Sequence, residues 1–185
     1  MKWLDHSRDA GRHAFLSASK YHWVRYDEDK LYESWQNAMD AAMGTRLHAF
    51  AAEAIFLKQR MPENNVTLNA YVNDAIGFRM DTEVMLMATN NAFGTADAIS
   101  FYNNVLRIHD LKNGVNEAKF DQLIIYACFF LIEYQFKPNE IEIVLRIYQN
   151  DEIREYIPTL DELTHYIDKI LTFDELIEKW KARAS

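Results

Sequence analysis

Two charged residues stand at the end of a stretch that otherwise reads as a buried strand. In "VLRIHDLK" (105–112) apolar and polar residues alternate. Strand side chains repeat every two residues, so Asp110 and Lys112 fall on the same side as Leu106 and Ile108. Burying an acid and an ammonium there costs on the order of several kcal/mol each unless they find a partner or a metal. A plain Asp–Lys ion pair is one solution. Asp97 opens another. It lies 13 residues earlier in "GTADAISF", with Ile99 and Phe101 on its face of the preceding strand. A hairpin between the two strands brings Asp97 beside Asp110, and adjacent carboxylates repel unless they share a proton or a cation. A hard divalent ion, Mg²⁺ or Mn²⁺, suits two carboxylates and a neighbouring backbone carbonyl. Lys112, on the same face, can then orient or activate water. Two further acid–x–lysine triplets, Glu28-Asp29-Lys30 and Glu117-Ala118-Lys119, lie in polar surroundings and read as solvated.

Other polar residues keep this group company. In "FDQLIIYACFF", Gln122 and Tyr126 are four apart and line one face of a helix. His48 follows Gly44-Thr45 on an upstream helix, where a lone histidine also serves as a packed or capping residue. Glu53 is five residues on, about 140° round the helix, and is not counted as a ligand. His109 points to the face opposite Asp110. Gly44, Gly94 and Gly114 lie close to these residues and allow tight turns or close backbone approach.

The elements that must position these side chains follow from hydrophobic period and turn chemistry. Residues 30–43 and 44–61 carry apolar residues at helical spacing, and "MPENN" (61–65) breaks the pattern. Leu68, Tyr71, Val72, Ala75, Ile76 and Arg79 mark a further amphipathic helix. Residues 82–89, 95–102 and 105–112 read as three strands, joined at Asn90-Asn91 and Asn103-Asn104 as hairpins require. A helix over 117–136 stops before Pro138. Strands at 140–149 and 152–158 and a helix over 160–182 complete an α/β (α+β) chain with a central mixed sheet flanked by helices. A single domain is expected over 1–185: helical to 80, a catalytic sheet and helix over 82–136, and strands and a helix over 140–183.

Composition narrows the function classes. The 185 residues are 49% apolar and 26% charged, as in an ordinary globular chain. The single cysteine, Cys128, allows no intramolecular disulfide and no four-cysteine iron–sulfur cluster, which fits a reducing, cytoplasmic setting. The longest apolar run, Leu123 to Ile132, has 10 residues, too few to span a bilayer of about 30 Å. The charged N-terminus carries no signal-peptide pattern, and no membrane partner is expected. A net charge of −8 argues against a protein that simply coats nucleic acid. It is compatible with clustered carboxylates that bind metal, with substrate phosphates held by local basic patches.

Taken in order, "GTRLH" (44–48), "GTADAI" (94–99), "IHDLKNG" (108–114) and "QLIIY" (122–126) resemble the PD-(D/E)XK nuclease superfamily. The nearest branch is that of RecB-type domains and CRISPR-associated and phage exonucleases. The resemblance runs over roughly residues 15–150 and implies a restriction-endonuclease-like core. It implies His48, Asp97, Asp110 and the Leu111 carbonyl as metal ligands, with Lys112 as the catalytic lysine. Gln122 and Tyr126 match the family's Q-x-x-x-Y substrate-positioning motif. Glu83 resembles a recurrent family acid more weakly, and Arg46 is a weaker basic candidate near the substrate. Lys20, Arg25, Arg107 and Lys119 are further basic residues near the motifs, and Tyr21 and Trp23 are aromatic residues able to stack on bases.

The activity so implied is metal-dependent hydrolysis of DNA, single- or double-stranded, leaving 5′-phosphates. Exonuclease is favoured over endonuclease, in end processing or recombination, with an annealing protein as partner and a phage or mobile-element setting. A histidine ligand suits Mn²⁺ better than Mg²⁺. Two readings compete: a catalytically retired nuclease fold kept for DNA binding or scaffolding, and a helical interaction protein with a structural Asp–Lys pair.

Overall fold

The structure, a computed structural model, describes residues 14–184. The charged N-terminal stretch read for a signal peptide lies outside the described residues. The chain divides into two compact units, with the boundary between Met43 and Gly44. In the first, a 3₁₀ segment, Ala18–Arg25, is tied by Trp23 Nε1 donating to the Ser17 carbonyl at 2.9 Å. Tyr21 is exposed there, its ring 4.5 Å from that of His22. Helix α1 (Glu28–Phe56) supplies the rest of this unit and, from Gly44 onward, the start of the second.

The second unit carries α2 (Thr67–Gly77), β1 (Asp81–Thr89), β2 (Ala92–Tyr102), β3 (Val105–Leu111), α3 (Asp121–Glu133), β4 (Glu142–Gln149), β5 (Glu152–Tyr156) and α4 (Leu160–Ala184). The five strands form one sheet in the order β1-β2-β3-β4-β5. Every neighbouring pair is antiparallel except β3–β4, which is parallel, so the sheet is mixed. Of the three tight hairpin turns, two are made by left-handed residues, Asn103-Asn104 and Asn150-Asp151, as asparagine and aspartate tolerate that conformation best; the third is Asn90-Asn91.

Alternation along the strands splits the core in two. Leu106, Ile108, Leu145 and Ile147 point to the side covered by α3, where Leu123, Ile124, Ala127 and Cys128 meet them. Ala98, Leu111 and Tyr148 point to the other side, against Ala51, Ala54 and Ile55 of α1 and Tyr71, Val72 and Ala75 of α2. Cys128 is a packed thiol, pushed up to about 12 by burial.

Several element boundaries differ from the sequence expectation, α1 ending at Phe56 and α3 at Glu133, and three differences bear on the site. Gly44 does not open a new helix: α1 runs through it, and the missing side chain makes room for Asn113, whose Nδ2 would lie 2.8 Å from a Cβ. Strand β2 starts at Ala92 rather than 95, because Gly94 is accommodated within the strand. Helix α3 starts at Asp121 rather than 117, because the backbone from Gly114 to Ala118 is held by side chains from β4 and β5. Gln149 Nε2 donates to the Asn116 carbonyl at 2.8 Å, and Arg154 NH2 to the Ala118 carbonyl at 2.8 Å.

Candidate active site

The site is built where β2 and β3 lose their ladder. Their last pair is Ala98–His109, and one step beyond it Asp97 stands opposite Asp110. On the other side of β2, Thr82 pairs with Ala98 and Val84 with Ala96, which leaves Glu83 opposite Asp97 without a pair between them. Glu83 has φ 55°, a left-handed conformation uncommon for a side chain of its kind. Alternation changes face at this point, since Ala96 belongs to the α3-side core and Ala98 to the α2-side core. Irregularities of this sort bend a strand and re-aim its side chains, and they concentrate beside active sites.

Six polar residues from four elements meet there in one continuous chain. His48 Nδ1 of α1 lies 3.1 Å from Asp97 Oδ2. Asp97 and Asp110 contact each other through their carboxyl groups. Lys112 Nζ lies 2.8 Å from Asp110 Oδ2 and donates to Gln122 Oε1 at 2.9 Å. Gln122 Nε2 donates to Tyr126 Oη at 3.3 Å, along the first turns of α3. Gly94 is what admits the last ring, because a Cβ there would stand 2.9 Å from Tyr126 Cε1.

Electrostatics at the centre are unbalanced. Burial raises the Asp110 carboxyl well above the usual carboxylate range, the adjacent Asp97 raises it further, and Lys112 only partly offsets this. For Asp97 burial also pushes upward, but His48 and Asp110 outweigh it and hold the group low. His48 is raised, chiefly by its bond to Asp97. The two carboxyls are thus pushed in opposite directions, Asp110 up and Asp97 down, as neighbouring like charges are. Asp97 Oδ2 and Asp110 Oδ2 are both buried without a hydrogen-bond partner: the His48 and Lys112 contacts are close, yet they lack hydrogen-bond geometry. Buried carboxylate oxygens without a hydrogen bond are costly; the His48 and Lys112 contacts offset part of that cost, and a metal ion is a further partner the oxygens could take.

The donor set fits a divalent ion in kind: two carboxylates, an imidazole and, between Asp110 and Lys112, the Leu111 carbonyl. The fit in arrangement is incomplete, since among the described residues no three His, Cys, Asp or Glu side chains form a ready metal cage. In this arrangement His48 and Lys112 occupy the space nearest the two orphan oxygens.

The weaker candidates make no contact with the polar chain among the described residues, although Glu83 stands opposite Asp97 on the neighbouring strand. Glu83 is exposed, and Arg46 is exposed on α1 without an ion pair among the described residues. His109 faces away, as its position on β3 predicts, and donates Nδ1–H toward Tyr148. Sequence reasoning missed Tyr71. It is raised above the ordinary tyrosine range first by burial and then by the charges of Asp97, Asp110 and Glu83. Its only sequence signal was one hydroxyl on the apolar face of α2.

A model of a protein family of unknown function, DUF2800, matches residues 75–176, the sheet with α3 and most of α4. Comparison with curated proteins gives no match. Among solved structures, the crystal structure of SSO0001 is similar at 14% identity and a TM-score of 0.38, over 83% of this chain and 69% of that one. A likeness at this level carries no information about function.

Proposed function

We propose that this chain, which belongs to the DUF2800 family of proteins of unknown function, is a divalent-metal-dependent nuclease acting on DNA. One observation carries the reading: the unbroken polar chain from His48 through Asp97, Asp110, Lys112 and Gln122 to Tyr126, with two orphan carboxylate oxygens at its centre. An ion pair kept for stability alone needs neither the second carboxylate nor the Gln–Tyr extension.

Asp97, Asp110, His48 and the Leu111 carbonyl would hold the ion. The chemistry a divalent cation supplies when bound is acidification of a water and neutralisation of phosphate charge. Lys112 is held by Asp110 on one side and Gln122 on the other, so its ammonium is presented to a phosphate or an attacking water rather than left to rotate. Tyr126 steadies Gln122 in turn. In-line attack at phosphorus with the 3′-oxygen as leaving group yields 5′-phosphate and 3′-hydroxyl ends. Exonuclease action in end processing or recombination, alongside an annealing protein, extends this proposal by resemblance alone. Labelled linear and closed-circular DNA, single- and double-stranded, incubated with Mg²⁺ or Mn²⁺ tests it. Metal-dependent shortening of the linear strands is the expected result; full activity in Asp110→Ala would sink the assignment, and cutting of the circle would make it an endonuclease.

A second reading rests on the incomplete cage. With His48 and Lys112 against the orphan oxygens, the same residues could serve as a charge network in a nuclease fold retained for DNA binding or scaffolding. Mn²⁺ titration separates the two: a scaffold binds the ion no better than its Asp97→Ala variant does.

A further inference from the structure

A second feature lies at the opposite end of the β2–β3 hairpin and on the opposite face of the sheet. Gly77, Phe78, Arg79, Tyr102, Asn103, Val105 and Arg107 line an open cleft of about 330 Å³. In a chain of net charge −8 it is lined by two arginines, and among the described residues neither has an acidic partner. The nearby acids are already engaged, for Arg146 binds Asp74 at 3.0 Å and Glu155 at 2.7 Å.

Both free guanidinium groups are held on rings rather than by counter-charges. Arg107 lies 4.8 Å from the Phe78 ring centroid, and Arg79 lies 5.6 Å from that of Tyr102. Stacking fixes a guanidinium plane while leaving its N–H edge to bind an anion, commonly a phosphate. Arg79 takes a left-handed φ of 54° just past the end of α2, and its side chain ends over Tyr102. Directly across the ladder from Arg107, Ser100 is nine-tenths buried and its hydroxyl has no partner. The Tyr102 ring is 59% exposed and free to take a second flat group.

Two oriented cations and an exposed ring match one ligand chemistry, a nucleic-acid strand with a phosphate on each arginine and a base on the tyrosine. We propose that this cleft is a second nucleic-acid contact, holding a single strand away from the candidate metal centre. It rests on the nucleic-acid part of the function proposed above. From Val105 to Lys112 the strand advances about 23 Å, at about 3.3 Å per residue, so one nucleotide cannot occupy both places.

Anisotropy of labelled single strands of about 4 and about 20 nucleotides, without divalent ion, tests the contact. The double variant Arg79→Gln with Arg107→Gln should weaken the longer strand about fivefold or more. Its log–log salt slope should flatten by about 1.4, two phosphate contacts at about 0.7 each. The matching lysine pair should keep most of the slope, and Tyr102→Ala should weaken binding without changing it. An unchanged slope in the glutamine pair overturns the proposal. So does no detectable binding by the wild-type chain, or displacement of the strand by polyglutamate as readily as by unlabelled DNA. If the glutamine pair fails to fold, Tyr102→Ala decides instead, and wild-type affinity in that variant would overturn the contact. Cleavage with Mn²⁺ is scored separately: binding with the expected slope change but no cleavage sinks the nuclease alone, and cleavage with an unchanged slope sinks the second contact alone.

Discussion

His109 and Asp110 are neighbours on β3 and both are buried, yet the two faces of the strand treat them oppositely. On the α2 side, the Tyr148 hydroxyl donates to Asp74 at 2.7 Å, so His109 must supply the Nδ1–H to that oxygen at 3.1 Å. Burial, with the charges of Arg146 and Arg107, holds His109 neutral, pushed down to about 3. Phe78 and Tyr148 pack their rings against it. That closed face also leaves two buried atoms without a partner, His109 Nε2 and Ser100 Oγ, but both are neutral, and formal charge is moved out to Asp74, Arg146 and Glu155. On the Asp110 side, charge stays at the centre, and two carboxylate oxygens have only the close contacts of His48 and Lys112, without a hydrogen bond. One face uses polar atoms to fix the packing. The other keeps its charges buried and paired without a hydrogen bond at two carboxylate oxygens, an arrangement that costs stability.

The comparison can be broken by experiment. The largest effect is expected from Asp110→Ala or Lys112→Ala, which should lower metal-dependent cleavage of labelled DNA about 100-fold or more with the fold intact by circular dichroism. Next comes the ion itself. Mn²⁺ at about 100 times its dissociation constant should stabilise the wild-type chain by about 2.7 kcal/mol, seen as a raised melting temperature, and Asp97→Ala should lose the effect. On the closed face, Tyr148→Phe should cost about 1–3 kcal/mol in urea unfolding while leaving cleavage near wild type, because it strands His109 and leaves Asp74 with Arg146 alone, without touching Asp97 or Asp110. A cleavage defect as large as that of Asp110→Ala would mean the two faces are not separate. The smallest is Gly94→Ala, which should turn the Tyr126 ring away from Gln122 and slow cleavage by about a few-fold, read as a lower rate at saturating DNA.

Much of the open face was legible in the sequence. Period-2 alternation put Asp110 and Lys112 among core residues, hairpin spacing set Asp97 against Asp110, and a four-residue interval aligned Gln122 with Tyr126. Each of these depends on local geometry or on a turn of a few residues. The closed face was illegible for the same reason. Asp74, His109 and Tyr148 come from three elements 35 to 74 residues apart along the chain, and nothing local announces that their polar atoms meet. The break in alternation at Glu83 and Asp97 was also missed, since "DTEVMLMAT" has no glycine, proline or asparagine to mark it. Gly94 and Gly44 read as turn or approach residues. They prove to be clearances for Tyr126 and Asn113, a role set by a partner's bulk rather than by the glycine's own backbone.

The parallel pairing of β3 with β4 has a consequence in time. Every other strand pair closes through a turn between sequence neighbours, but β3 waits for β4 across the whole of α3. The backbone at Lys112 is fastened only when its N–H reaches the Tyr148 carbonyl, at 2.9 Å. A growing chain has therefore translated both acids, the lysine and the Gln–Tyr pair well before the strand that carries the lysine is held on its second side. Contacts of such long sequence separation form late. The segment that decides when the polar chain is complete is β4, which contributes none of its six residues.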